Sequence, residues 1–152
     1  MEIDFARGSW IWGLSLIVVT IAVHAMGVVM MAFGLLRIRV WLEDRGLGLR
    51  HVLPVVIGIV AVVGLLLAIL HGIEAAIWAA AYLWLGAFDS PTDAMLYSVD
   101  SMTTRGASGL TLQRHWQMMG ALEAADGMLL FGVSTAYIFA AMQACWPLFR
   151  SR

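Results

Sequence analysis

Three apolar runs leave this chain few ways to fold: Trp10 to Leu36, about Pro54 to Gly86, and from just after His115 to about Trp146. Each is longer than the roughly 20 residues that a helix needs to cross a bilayer's hydrocarbon core. Lipid offers no partner for backbone N–H and C=O groups, so segments of this length and polarity satisfy them internally, as helices. Composition agrees: of 152 residues, 62% are hydrophobic and 12% are charged, against about 25% charged in soluble domains. The expected fold class is all-α integral membrane, with three transmembrane helices. Little chain remains for a large soluble regulatory module, and a net charge of −1 argues against nucleic acid as a partner.

The run starting at Trp10 is too long for a secretory signal, and Trp10 and Trp12 fall where an interfacial aromatic belt belongs. Gly13, Gly27 and Gly34 suit close helix packing. Met26, Met30 and Met31 read as adaptable packing rather than metal ligands. Between the first two runs, Arg37, Arg39, Arg45 and Arg50 outnumber Glu43 and Asp44. Residues 1–50 therefore read as a transmembrane helix followed by a basic linker, and the positive-inside rule makes that linker cytoplasmic. The N-terminus is then expected outside, and the C-terminus, with Arg150 and Arg152, in the cytoplasm. The location this implies is the cell's inner (plasma) membrane, with lipid as a contact. The single cysteine, Cys145, cannot form an internal disulfide and reads as a packed thiol.

Residues 51–152 hold the remaining two spans around the polar stretch SPTDAMLYSVDSMTTRGASG, residues 90–109. Ser90, Pro91 and Asp93 mark a helix start: a hydroxyl acceptor, a proline at the first helical position and the acidic arm of a capping box. After about a dozen residues, Gly106, Gly109 and small side chains release the backbone from regular structure. Non-helical backbone at membrane depth persists only inside protein or beside a watery cavity. The stretch reads as a re-entrant pore helix with a loop after it.

Tyr97 to Gly109 resembles the pore helix and selectivity filter of the potassium channel family, whose signature is Thr-Thr-Val-Gly-Tyr-Gly-Asp. Thr103, Thr104 and Gly106 match. The resemblance covers roughly residues 52–147 and implies a homotetramer, with the filter loop formed by Thr103, Thr104, Arg105, Gly106, Ala107, Ser108 and Gly109. It also makes the following helix the pore-lining one, with Gly127 and Gly132 as its hinge glycines. Arg105 replaces an apolar residue, Ala107 an aromatic, Ser108 the second filter glycine, and Gly109 the aspartate. Selectivity for potassium depends on stacked carbonyl rings and a backbone that glycine tolerates best, so altered or weak selectivity is implied. The family places the Arg105 position behind the filter, near Asp100, and a desolvated guanidinium needs a carboxylate partner. An Asp100–Arg105 salt bridge is expected there; the alternative turns Arg105 toward water in the pore or vestibule.

Other ionisable residues sit at membrane depth. His71 and Glu74 lie one turn apart, as do Glu123 and Asp126, and such groups are functional hypotheses by default. His71 and Glu74 either hydrogen-bond to fix helix register or take part in proton or metal chemistry. Glu123 and Asp126 either join a network behind the filter or form a cation-attracting ring. Ser134, Thr135 and Tyr137 supply hydroxyls to a cavity or bond within their helix.

The leading expectation is an ion channel conducting inorganic ions passively, K+ or other monovalent cations first, without a cofactor. Arg105 leaves an anion-conducting pore as a lesser alternative. A second class is a non-conducting scaffold or accessory subunit on the same fold. A third, a metalloenzyme or proton carrier using His24, His71, Glu74, Glu123 and Asp126, ranks low. No compact ligand motif supports it, so neither catalytic nor metal-binding residues are expected.

Overall fold

The structure, a computed structural model, describes residues 2–45, 49–106 and 108–147. Four helices appear in chain order: α1 (Glu2–Arg45), α2 (Leu49–Trp84), α3 (Pro91–Met102) and α4 (Gln117–Cys145). No strand occurs among the described residues. Three helices hold segments long and apolar enough to cross a membrane, Gly8–Leu42, Arg50–Trp84 and Gln117–Cys145. The chain is an all-helical, multi-pass membrane protein.

The first helix does not end near Leu36. Ile38, Val40, Trp41 and Leu42 continue its apolar character, and nothing breaks the backbone before Arg45, so Arg37 and Arg39 are helical. The expected linker shrinks to residues 46–48, which lie outside the described residues, as do the C-terminal Arg150 and Arg152. The second helix begins earlier than expected, at Leu49, and carries Pro54 inside it.

The chain divides into two compact units. The first holds residues 1–24 and 71–131: the N-terminal half of α1, the C-terminal half of α2, all of α3 and the N-terminal half of α4. Its core is Ala75, Trp78, Ala79 and Tyr82 of α2 against Ala94 and Met102 of α3 and Met119 and Leu130 of α4. Leu16 and Ile17 of α1 pack on this cluster. Trp12 and Trp84 meet edge to face, with ring centroids 5.1 Å apart, so the start of α1 and the end of α2 share one end of the unit. The second unit holds residues 25–70 and 132–152. Leu35, Ala141 and Cys145 are buried together there, with Val56, Ile59 and Ala144 against them.

Alanines at 75 and 79 let α3 approach α2, and glycines let it approach α4. A Cβ on Gly127 would lie 2.8 Å from Met102 Cα and collide with the Met102 carbonyl oxygen. A Cβ on Gly120 would strike the Tyr97 hydroxyl. At the helix start, Ser90 takes an extended conformation (φ −105°, ψ 124°) and its hydroxyl accepts from Asp93 N at 3.3 Å. Ser90→Ala is expected to cost about 1 kcal/mol. In detergent this reads as a melting temperature lower by a few degrees; an unchanged value removes the cap from the account of α3.

Candidate functional site

The C-terminus of α3 closes through two crossed hydrogen bonds. Thr104 N donates to Ser101 O (2.9 Å) and Arg105 N to Asp100 O (3.0 Å). This closure requires a left-handed residue between helix and exit, a position glycine usually takes. Here Thr104 takes it, at φ 54°. Gly106 and Gly109 follow at φ 61° and 71°. A β-branched side chain in that region is strained by roughly 1–3 kcal/mol and persists only where its surroundings impose it. Thr104→Gly is expected to raise stability by about 1 kcal/mol, measured by thermal unfolding in detergent. A loss of stability instead would mean that the Thr104 side chain makes contacts worth more than the strain.

Asp100 holds the loop against the helix that precedes it. Its carboxylate is buried; Oδ1 accepts from Arg105 Nε at 2.6 Å and Oδ2 from Ser108 N at 2.9 Å. One side chain thereby holds Arg105 and Ser108, on either side of Gly106. The pair is lopsided, because 59% of the Arg105 side chain is exposed in a single copy. Thr103, Thr104, Gly106 and Gly109 are exposed as well, Ser108 is half-buried, and Ala107 lies outside the described residues. Beside the strip is a cavity of about 470 Å³, lined by Tyr97, Asp100, Ser101, Thr104 and Ala124 among others. Burial, with the Glu123 carboxylate nearby, pushes the Tyr97 phenol up to about 12, so it is a neutral group at that wall.

In the same unit, α1, α2, α3 and α4 carry a ladder of buried polar side chains. On its first rung, Glu123 Oε2 accepts from the Tyr82 hydroxyl at 2.7 Å, and Oε1 bonds Ser98 Oγ. Ser98 Oγ also lies 2.8 Å from the Ala75 carbonyl oxygen. On the second, Asp126 Oδ2 accepts from the Thr20 hydroxyl (2.6 Å) and from the Trp78 indole N–H (3.1 Å). On the third, Glu74 lies between two imidazoles: His24 Nδ1 is 2.8 Å from Oε1, and His71 Nδ1 is 2.9 Å from Oε2. Phe131 stacks on the His71 ring, centroids 4.2 Å apart. The rungs follow helical spacing: Tyr82, Trp78 and Glu74 recur every fourth residue on one face of α2, and Thr20 and His24 do so on α1.

Several sequence expectations meet their geometry here. His71 and Glu74 bond as a one-turn pair. Glu123 and Asp126 reach hydroxyls and an indole, and both are fully buried within one copy, so a cation-attracting ring is not their arrangement. Gly127 is a contact glycine pressed on α3. A Cβ on Gly132 would meet open space, and α4 runs unbroken through both. Sequence reading missed Thr20, Trp78, Tyr82 and Ser98. The signal for two of them was present, as the i, i+4 recurrence of Glu74, Trp78 and Tyr82 in HGIEAAIWAAAYLW. The partners on α1 and α3 are separated in sequence and carry no local mark.

Comparison with protein-family models, with curated proteins and with solved structures finds no match to this chain.

Proposed function

We propose that four copies of this chain surround a passive ion-conducting pore whose narrowest part is the strip Thr103–Gly109. The observation that carries this reading is the capped half-length helix α3, ending in a strip with left-handed residues at 104 and 106, stapled from behind by Asp100. Left-handed residues alternating with others are what a filter backbone needs to turn successive carbonyls toward one passage. Two further features fit an assembly. Leu96 and Val99 leave α3 with an exposed apolar edge, and Thr103 to Gly106 are exposed beside it. Neighbouring copies around an axis would cover the edge and face the strip to the lumen.

In this reading the chain has the potassium channel family's helix, pore loop and helix, with α1 added in front. α3 and the N-terminus lie outside and the C-terminus in the cytoplasm. Asp100 neutralises Arg105, so the strip has no net charge, and the C-terminal dipole ends of four α3 helices favour a cation near it. K+ and other monovalent cations pass with weak discrimination, since Ser108 and Gly109 stand where a strict filter has glycine and aspartate. Gly132 is the hinge candidate left on α4.

One observation favours a second reading, a non-conducting scaffold on the same fold: Ser108 N donates inward to Asp100, which pins the outer part of the strip. Flux from proteoliposomes loaded with K+, Na+ or Cl− separates the readings. Release of both cations without chloride is expected. Chloride release alone would assign an anion pore through Arg105, and no release from intact tetramers would assign the scaffold.

A further inference from the structure

We propose that His24, His71 and Glu74 form a binding site for one divalent metal ion of the zinc class, joining α1 to α2. The three residues come from two helices, and one ligand atom from each lies within 4.8 Å of the others. Two imidazoles and a carboxylate are the donor set that zinc accepts, at about 2.0–2.2 Å to nitrogen and oxygen. Ligands around a tetrahedral ion stand slightly farther apart than hydrogen-bonded atoms, so the present spacings of 2.8 and 2.9 Å need open only slightly. Each imidazole would then bind through Nδ1 and keep its proton on Nε2.

The surroundings point the same way. Glu74, Glu123 and Asp126 are fully buried, while among the described residues no arginine is buried, and the chain contains no lysine. A buried carboxylate that stays ionised is paired with a cation or coordinates a metal, and a divalent ion between Glu74 and its two imidazoles would fill that role. Asp126 Oδ1 is buried and has no hydrogen-bond partner. The other oxygen of that carboxylate bonds Thr20 and Trp78, each one turn from a proposed ligand, His24 and Glu74. Asp126 is therefore anchored on residues one helical turn, roughly 5 Å, along α1 and α2 from His24 and Glu74. A water in the fourth coordination position could donate to its free oxygen. Phe131 stacked on His71 holds that ring in place.

The site lies apart from the strip Thr103–Gly109 and does not depend on whether the chain conducts. The full-length protein, purified in detergent, is stripped with chelator and titrated with Zn2+ and with Co2+. The expected result is about one ion per chain and an intense visible Co2+ spectrum of the kind four-coordinate nitrogen and oxygen ligation gives. His24→Gln and His71→Gln should each weaken binding by roughly 100-fold or more, since even residues behind a metal's ligands are worth 10–100-fold; His51→Gln, on the exposed start of α2, should leave it unchanged. Should either ligand variant fail to fold, the wild-type spectrum and stoichiometry still decide. Failure of the folded wild type to retain either ion, or binding equally strong in both ligand variants, overturns the site.

Discussion

Gly127→Leu is expected to prevent α3 from docking and to cost roughly 3 kcal/mol or more, near the upper end for overpacked sites. The reason is which atoms would collide. The new Cβ meets the backbone of Met102, both its Cα and its carbonyl, and a helix backbone cannot rotate aside as a side chain can. Met102 is also the last residue of α3, so displacing it moves the start of the strip. Gly132→Ala provides the contrast, since nothing lies within 4 Å of its Cβ position. There alanine should be neutral or stabilise α4 by up to about 1 kcal/mol through helix propensity. Melting temperature and elution volume in detergent check both; a Gly127→Leu protein with wild-type values would show that α3 and α4 do not meet in this way.

The second large effect is expected at Asp100. Asp100→Ala removes the acceptor for two donors at once, Arg105 Nε and Ser108 N, at a cost of roughly 2 kcal/mol. Arg105→Gln should cost less, about 1 kcal/mol or below. Its side chain is largely solvated, and exposed members of ion pairs contribute little, while Asp100 keeps the Ser108 N–H. In the proposed pore the difference would appear in ion flux too. Without Asp100 the strip loses its brace, so ion flux through the assembled protein should fall or lose what discrimination it has, whereas Arg105→Gln should retain flux. Equal damage from the two substitutions would contradict the brace.

Features set by neighbours in sequence were readable, and those set by distant chain were not. Ser90 and Pro91 announce the start of α3, and the change to Thr103-Thr104-Arg105-Gly106 announces its end, because caps and left-handed exits are local chemistry. The Asp100–Arg105 pair was reached from the resemblance, and only five positions separate the two; the desolvated guanidinium expected there is instead 59% exposed. The end of α1 was misread because arginines mark topology without breaking helices, so Arg37 and Arg39 stay helical. The third rung of the ladder shows the other limit. His71 and Glu74 announce each other by spacing, but His24 lies 50 residues from Glu74 and joins them only once α1 packs on α2. A search for compact ligand motifs therefore passes over a three-residue cluster that folding assembles.

The most direct measurement is current across a planar bilayer from the purified Thr104→Cys, Cys145→Ser protein, before and after a charged thiol reagent. Cys145 is the chain's only native cysteine, so the reagent addresses position 104 alone. A pore whose constriction is Thr103–Gly109 predicts a steady ion current that drops sharply on modification, while the Cys145→Ser parent is unaffected. No current from intact tetramers, or a Thr104→Cys current indifferent to the reagent, would contradict a passage through that strip.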